Sequence, residues 1–513
     1  MDAAPPKPRA PEPAGGHAGR VPLLLFLIAL LVYNLNLQRI AAIDSVGASL
    51  LPFSLLLDGS IALDRFQPWF TEHAPQHAAA FLVRHGHAWS TYPIGLPVLA
   101  TPLYVPAALA ARLGAWDTRR IITVAAIHEK LTASLLAALS VALLYCLVRR
   151  LTEQTTAVLV ACLYAFGTET WTISSQALWT HGGTTLAVTG SFYYLLRASE
   201  SPPGRGYWIL AGLFGGLAYA IRPTNALFLL AAGASLAWGR RFKGLCLFSL
   251  FPLLAVTLTS AYNVRVFGHV LGRYTVPQGA DFWAGLTGIL FSPGRGLFVY
   301  TPVFLFSLAG AFAWLRERGL RHSPVYTAAV LFTFLEVLVV SWWPEWWGGH
   351  CFGPRLLTDV APCLALLTIP AMPQVRRAVA LRAAFAASLV ASVSIQAIGA
   401  FCYPNSRWDE TPVAVGQDVA RLWDWRDSPV ARSLAAGPRI GPDPKFYEEI
   451  RRALGLGTGR RALKCQRFLT NGKKVPLRSL LLAMEAECRL RRWASCSPHG
   501  PRPATSGLPR RTT

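Results

Sequence analysis

The chain has 513 residues, of which 53% are hydrophobic and only 15% are charged. A soluble domain of this length does not need so much apolar surface, so the composition excludes an ordinary soluble protein and indicates a membrane protein. The formal net charge of +23 comes from Lys and Arg residues spread over the turns and the C-terminal tail. Because no single folded face is basic, we expect no nucleic-acid partner.

The first apolar run covers 21–38 and follows a Pro-, Ala- and Gly-rich basic arm at 1–20. The composition of this arm predicts a disordered cytoplasmic segment. A basic start before an apolar run is also typical of a signal peptide. However, the run is long, and Asn34 and Asn36 stand where a small-residue cleavage site is expected. We therefore predict a first membrane span that is retained.

We predict that residues 39–130 form a long first loop on the outer side of the membrane. Within it, the apolar run 93–113 contains four prolines. Proline disrupts a straight helix, so a pair of helices lying on the membrane surface is favoured over a crossing.

Ten further apolar runs predict membrane helices, which makes about eleven with the first. About 20 apolar residues suffice for a helix to cross a hydrocarbon core of roughly 30 Å, and the alternation typical of a β-barrel is absent. With the arm in the cytoplasm, every connection on that side is basic, as the positive-inside rule requires. The predicted fold is an all-α, multi-pass protein of the inner (plasma) membrane, with its transmembrane domain at 21–401. The ten runs are 131–148, 156–172, 182–196, 207–221, 224–239, 245–263, 297–315, 324–341, 356–373 and 378–401.

The composition changes after residue 401. Residues 402–455 carry tryptophans among charges and predict a small outward cap, whereas 456–513 is basic and rich in Gly, Pro and Ser, which predicts a disordered tail. The nine cysteines show no zinc-site spacing. The sequence therefore identifies no cofactor, and it leaves dependence on a divalent metal open.

The most informative stretch is 342–355, between two predicted spans. It holds four tryptophans together with Glu345, His350 and Arg355. Tryptophans are common where bilayer meets water, but charged groups at membrane depth cost free energy unless they pair or line water. We interpret the stretch as half of an active site that faces the periplasm or the exterior.

The chain contains several distinctive short motifs, which are Asp44-Ser45, Leu51-Pro52-Phe53-Ser54, Tyr92-Pro93-Ile94-Gly95, Leu178-Trp179-Thr180-His181-Gly182, Ile221-Arg222-Pro223-Thr224, Phe291-Ser292-Pro293-Gly294-Arg295-Gly296 and Gly349-His350-Cys351-Phe352-Gly353-Pro354-Arg355. These motifs resemble those of bacterial relatives of the dolichyl-phosphate-mannose-protein mannosyltransferases, which are GT-C glycosyltransferases. The resemblance covers about 20–401, and it implies a GT-C fold with surface helices in the first loop and a polyprenyl-phosphate sugar as donor. Many relatives have Asp-Glu where this chain has Asp44 and Ser45, so a second acid must come from elsewhere or be absent. No outward Asp-X-Asp is present, which argues against a nucleotide-sugar donor.

The transfer chemistry suggests which residues act. An attacking hydroxyl needs a carboxylate to accept its proton, and the leaving phosphate needs cations. We predict Asp44 as the base of an inverting displacement, although Asp44 could instead cap the helix that follows. Guanidinium forks fit phosphate oxygens. The predicted donor-phosphate residues are Arg355, Arg222, Arg295, His181 and Lys130.

Aromatic and further polar residues are predicted to bind the sugar or the acceptor. Tryptophan rings can stack on a sugar, although tryptophans at a bilayer interface often contact only lipid. Single outward acids such as Asp359 more often pair or cap helices. The predicted sugar- or acceptor-binding residues are Glu129, Glu345, His350, Trp346, Trp347 and Trp179.

These observations predict a glycosyltransferase that moves a sugar from a polyprenyl-phosphate donor to an acceptor hydroxyl on the outer face of the membrane. Its expected partners are the donor, membrane lipids and an acceptor that is a glycan, a lipid or a protein. One alternative is a transporter or flippase of a lipid-linked sugar, with the same cations lining a path. A second alternative is a structural scaffold, which would have no polar cavity.

Overall fold

The structure is a computed structural model of the chain. It describes residues 19–453 except 41, 201–203, 273–280 and 443. Nearly all of the arm predicted at 1–20, and the whole tail predicted at 456–513, lie outside the described residues.

The N-terminal part begins with α1 and continues into the segment predicted as the first loop. This segment contains two longer helices, α2 and α4, which pack against each other. It also contains a β-hairpin, which the all-α prediction did not include. The two-residue turn of the hairpin places His85 and Gly86 at φ of 54° and 77°, the left-handed values that such a turn requires. The elements are α1 (Arg20–Asn34), α2 (Ile43–Asp58), α3 (Gln67–His73), β1 (Phe81–Arg84), β2 (His87–Ser90) and α4 (Gly95–Leu113).

The central part is a succession of apolar helices. A π-helical turn at Thr170–Ser174 and a 3-10 turn at Pro223–Asn225 interrupt it. The helices are α5 (Thr118–Leu151), α6 (Gln154–Phe166), α7 (Thr180–Ser199), α8 (Arg205–Ile221), α9 (Ala226–Trp238), α10 (Phe242–Phe267), α11 (Phe282–Phe291), α12 (Leu297–Tyr300), α13 (Leu305–Glu317) and α14 (Pro324–Ser341).

The C-terminal part includes the composite segment Arg355–Arg377, which is built from two short helices and two 3-10 turns. A long helix, α17, follows it. The remaining chain adds two short helices and a 3-10 turn at Val419–Trp423. The helices are α15 (Ala361–Leu367), α16 (Met372–Arg377), α17 (Val379–Ser406), α18 (Pro429–Ala436) and α19 (Pro444–Ala453).

The chain is a multi-pass helical membrane protein, but the predicted number of eleven spans is not confirmed. Each predicted run contains helix. Within the described residues, however, only six helical segments are long and apolar enough to cross a membrane, by length and composition. One reason is visible at 297–315, where Pro302 divides the run into α12 and α13. The six segments are Gly95–Leu113, Thr118–Leu151, Phe242–Phe267, Pro324–Ser341, Arg355–Arg377 and Val379–Ser406.

Glycines bring helix backbones into direct contact at several places. A Cβ on Gly212 of α8 would lie 2.0 Å from the carbonyl oxygen of Phe248 in α10. Equivalent distances are 2.1 Å from Gly285 to the oxygen of Ser341 and 1.9 Å from Gly310 to that of Leu367. In lipid, where water does not drive helices together, close backbone packing of this kind is a main source of helix association.

The segment predicted as a cap is described as far as Ala453, and its first residues continue α17. Its remaining part is joined to the bundle by a buried ion pair, in which Arg295 Nη2 donates to Asp409 Oδ1 at 2.6 Å. The fully buried ring of Trp408 lies between the guanidinium groups of Arg295 and Arg421, at 5.2 and 4.8 Å from the ring centre. The cap and the bundle therefore share one buried charged centre.

We expect Gly212→Ala to lower the free energy of unfolding in detergent by about 1–3 kcal/mol, because the added methyl group forces α8 and α10 apart. Gly206→Ala, in the same helix, is the matched control. A Cβ there meets nothing within 4 Å, so this variant should be as stable as the wild type or slightly more stable. Equal stability of the two variants would contradict the packing described.

We expect Asp409→Ala to cost about 3–5 kcal/mol of stability, because it leaves the guanidinium of Arg295 buried without its carboxylate. The neighbouring variant Glu410→Ala breaks only the exposed pair with Arg407, and should cost about 0.2–1 kcal/mol. Thermal unfolding of both variants in detergent compares them. A similar loss in both would show that the buried pair is not an anchor.

Candidate functional site

Asp44 and Arg355, which are 311 residues apart in the chain, are in direct contact. The Nη1 atom of Arg355 donates to Oδ2 of Asp44 at 2.5 Å, and both side chains are largely buried. Asp44 lies in the first turn of α2, where Ala42 is the N-cap residue, so Asp44 does not occupy the capping position. Arg355 follows Gly353, whose φ of 83° makes the sharp turn that begins the composite segment. The contact lies at the end of the bundle formed by the connecting residues 35–40, 167–179 and 343–354, which we call the site end.

The charge of Asp44 depends on this contact. Burial of the carboxyl group acts to raise the pKa of Asp44, but the adjacent guanidinium of Arg355 outweighs burial, and the pKa lies below its ordinary value. Asp44 is therefore ionised at neutral pH, as a proton acceptor must be.

Trp179 covers the other side of Arg355. The Cζ atom of Arg355 lies 5.4 Å from the centre of the Trp179 ring, and Trp179 is the N-cap residue of α7. The Nε atom of Arg355 and the Nε1 atom of Trp179 are buried and have no hydrogen-bond partner within the described residues. Buried donors rarely stay unsatisfied, so these two N–H groups are available to a ligand.

His181, Arg222 and Asp359 form a second, deeper cluster. Asp359 Oδ1 lies 2.8 Å from His181 Nδ1, and Asp359 Oδ2 accepts from Arg222 Nη1 at 2.6 Å. Local structure explains these positions, because Pro223 ends α8 at Arg222 and Gly182 lets the start of α7 approach the oxygen of Ser174. His181 interacts electrostatically with both Asp44 and Arg355, so the two clusters are neighbours.

A second acid lies beside Asp44. Glu129 of α5 is buried, and its Oε1 accepts from the backbone N–H of Leu178 at 3.3 Å. Its carboxyl group also interacts with the side chain of Ser45 and with the charges of Asp44 and Arg39. The acid that the motif lacks at Ser45 therefore has a counterpart that comes from a different helix.

Lys130 points away from this acid, as neighbours on a helix do. Its Nζ donates to the carbonyl oxygens of Tyr33 and Ser175, at 2.8 and 3.1 Å, and to Oε1 of Gln176 at 2.7 Å. Gln176 Oε1 also accepts from Asn36, which in turn donates to the oxygen of Ala400. All three protons of the ammonium group are thus used within the protein.

Arg295 is also committed to internal contacts. Its side chain is fully buried. It donates to the carbonyl oxygens of Gly294, Trp347 and Gly349 at 2.8–3.0 Å, in addition to its pair with Asp409. The structure therefore does not bring Arg295 to the contact of Asp44 with Arg355.

The aromatic stretch at 342–355 divides into a buried part and an exposed part. Trp346 and Trp347 are buried, and a Cβ on Gly288 would touch the ring of Trp346. Glu345 and His350 are exposed. Arg355 is the member of this stretch that contacts Asp44.

Sequence reasoning gave Asp359 no functional role and overlooked Glu336. Glu336 is buried in α14 and interacts with the charges of Arg222 and Asp359. A detectable signal existed, because Glu336 is an acid within an apolar run, and intramembrane acids are rare unless they serve a site. Within the described residues, no group of three or more His, Cys, Asp or Glu side chains is placed to hold a metal ion.

A family model described as dolichyl-phosphate-mannose-protein mannosyltransferase matches residues 120–263, which is just over a quarter of the chain. No curated protein matches the sequence. The matched region contains Glu129, His181 and Arg222, so it covers part of both clusters.

Solved structures match a larger part of the chain. ArnT from Cupriavidus metallidurans in the apo state has a TM-score of 0.50 and 13% identity, over 86% of this chain and 77% of that chain. The same protein bound to undecaprenyl phosphate has a TM-score of 0.51 and 11% identity, over 85% and 88%. An oligosaccharyltransferase from Archaeoglobus fulgidus, with a TM-score of 0.44, 13% identity and coverage of 83% and 65%, is more distant.

At these identities the likeness to ArnT concerns the fold. The resemblance predicted from the motifs is confirmed: the chain has the GT-C fold seen in ArnT, and its residues 120–263 match the model of the dolichyl-phosphate-mannose-protein mannosyltransferases.

Proposed function

We propose that the protein is a glycosyltransferase that moves a sugar from a polyprenyl-phosphate donor to an acceptor hydroxyl on the outer face of the inner (plasma) membrane. The observation that carries this proposal is the contact between Asp44 and Arg355 at the site end. It combines a proton acceptor and a phosphate-binding cation, the two groups that the reaction needs. The likeness to an ArnT structure that is bound to undecaprenyl phosphate supports the class of donor.

In this proposal Arg355 binds the donor phosphate. Its Nη1 atom holds Asp44, while its Nε atom has no partner within the described residues. A guanidinium can donate from several atoms in one plane, so a phosphate oxygen can accept from Nε without displacing Asp44 completely. Trp179 keeps the plane of the guanidinium fixed by stacking and offers its own N–H beside it.

Asp44 accepts the proton of the attacking hydroxyl. The acceptor oxygen forms a bond with the anomeric carbon as the bond from that carbon to the phosphate oxygen breaks, and polyprenyl phosphate leaves with its negative charge facing Arg355. Attack from the face opposite the phosphate inverts the anomeric configuration. Phosphate binding also competes with Asp44 for Arg355. We therefore expect the donor to raise the pKa of Asp44 from its lowered value, which makes Asp44 a stronger base.

The other predicted residues take different places in this proposal. Glu129 lies beside Asp44 and is suited to bind a hydroxyl group of a substrate. Glu345 and His350 are exposed and remain candidates for acceptor contact. Lys130 and Arg295 support the fold through internal hydrogen bonds, and the buried rings of Trp346 and Trp347 support it by packing.

We expect Asp44→Asn to reduce sugar transfer by about 10²–10⁴-fold, because the amide cannot accept the proton. Transfer is measured with purified protein and labelled polyprenyl-phosphate sugars, and binding of undecaprenyl phosphate should be retained. Asp58→Asn is the matched control, because Asp58 ends the same helix and pairs with Arg65 at the surface. Unchanged transfer by Asp44→Asn would remove Asp44 from this role. If the wild-type protein moves labelled lipid across vesicle membranes but transfers no sugar, the transporter alternative is favoured.

We expect Arg355→Lys to weaken binding of undecaprenyl phosphate by about ten- to a hundredfold. Lysine keeps the charge but loses the planar fork, the stacking on Trp179 and one hydrogen bond between charged groups. Arg407→Lys is the control, since Arg407 forms an exposed pair with Glu410. If Arg355→Lys binds undecaprenyl phosphate as tightly as the wild type, the phosphate does not bind at Arg355.

A further inference from the structure

The deeper cluster orients a histidine beside the proposed reaction centre. His181, Arg222 and Asp359 are 4%, 7% and 0% exposed, so water does not compete for their contacts. Asp359 lies between the other two and uses one carboxylate oxygen for each. This carboxylate belongs neither to the pair of Asp44 with Arg355 nor to any step proposed above.

The contacts of Asp359 decide which nitrogen of His181 carries the proton. Nδ1 of His181 lies 2.8 Å from Oδ1 of Asp359 and 2.9 Å from Nη1 of Arg222. A bare Nδ1 would direct its lone pair at a carboxylate oxygen, which is repulsive. A bare Nδ1 could accept from Nη1 of Arg222, but Oδ1 of the fully buried Asp359 has no other donor within the described residues and would be left unsatisfied. A protonated Nδ1 donates to Oδ1, while Nη1 of Arg222 donates to Oδ2 at 2.6 Å. We therefore assign the proton to Nδ1.

Nε2 of His181 is then left as a hydrogen-bond acceptor. It makes no hydrogen bond within the described residues, where both contacts of the ring use Nδ1. Burial of the ring, together with the nearby guanidinium groups of Arg222 and Arg355, opposes a positive charge on His181, so the ring stays neutral. His181 is also two residues from Trp179, which stacks on Arg355. The free acceptor therefore belongs to the same end of the molecule as the phosphate-binding group.

We propose that Asp359 is a positioning residue that fixes His181 as the Nδ1–H tautomer, so that Nε2 accepts a hydrogen bond from a hydroxyl group of the donor sugar. This inference rests on the proposed function for the identity of the ligand. It changes the role predicted for His181, because a nitrogen lone pair repels phosphate and attracts an O–H group. It also changes the role predicted for Arg222, whose Nη1 serves Asp359 within the protein.

The carboxylate and an amide have opposite effects at this position. In Asp359→Asn the amide N–H₂ group can face Nδ1, which moves the proton to Nε2 and converts the free acceptor into a donor. Asp359→Glu keeps a carboxylate and should restore part of the activity. A purely structural role for Asp359 predicts neither the change of tautomer nor this order of the variants.

The test combines NMR with kinetics. The protein is labelled with ¹⁵N-histidine in detergent, and the signal lost in His181→Gln identifies the ring of His181. We expect a protonated Nδ1 and a bare Nε2 in the wild type, and the reverse in Asp359→Asn. With the labelled polyprenyl-phosphate sugar, Asp359→Asn should lower kcat/KM by about ten- to a hundredfold, while binding of undecaprenyl phosphate is retained.

A double mutant separates positioning from independent effects. If Asp359 acts through His181, the variant His181→Gln/Asp359→Asn should be no slower than His181→Gln alone. Multiplied losses in the double mutant would overturn the proposal, as would a wild-type His181 with its proton on Nε2. If Asp359→Asn fails to fold because Arg222 loses its carboxylate, Arg222→Gln/Asp359→Asn removes both charges and allows the same NMR measurement. A wild type that transfers no sugar contradicts the proposed function, whereas the tautomer still decides whether Asp359 positions His181.

Discussion

The pairing of charges inside an apolar helix bundle determines the arrangement of this site. A carboxylate or a guanidinium is costly to remove from water unless it meets a partner, so each buried charge requires a second residue at a defined place. Arg355 meets this requirement with Asp44, and Arg222 meets it with Asp359. Because the partners come from distant parts of the chain, these two contacts, together with His181 of α7, bring α2, α7, the end of α8 and the segment after Pro354 to one place.

The two pairs differ in a way that matters for chemistry. The pair of Asp44 with Arg355 is partly exposed and leaves one donor unsatisfied, so a ligand can join it. The pair of Arg222 with Asp359 is almost completely buried, and it has His181 as a third member. One pair can therefore exchange partners during a reaction, while the other can hold a side chain in a fixed orientation.

The sequence predicts the helical membrane class and names Asp44 and Arg355 as candidate site residues, because apolar runs and charges at their ends are local features of the chain. It does not predict the number of spans, since Pro302 divides an apolar run into two short helices in a way that hydropathy does not reveal. Arginine alone also does not indicate its partner. Arg295 and Arg355 occur in similar glycine-containing motifs. Arg295, however, is surrounded by carbonyl oxygens, and of the two arginines only Arg355 contacts Asp44. That difference arises from tertiary contacts.

The contacts of Lys130 have a consequence for the reach of the proposed base. Lys130 binds the carbonyl oxygen of Tyr33 at the end of α1 and shares Gln176 with Asn36, which also binds the end of α17 through Ala400. The short linker that leads from Asn36 to Asp44 thus starts from a fixed point. Lys130 therefore anchors the start of the linker that carries the proposed base, and the position of the Asp44 carboxylate depends on the packing of the first helix.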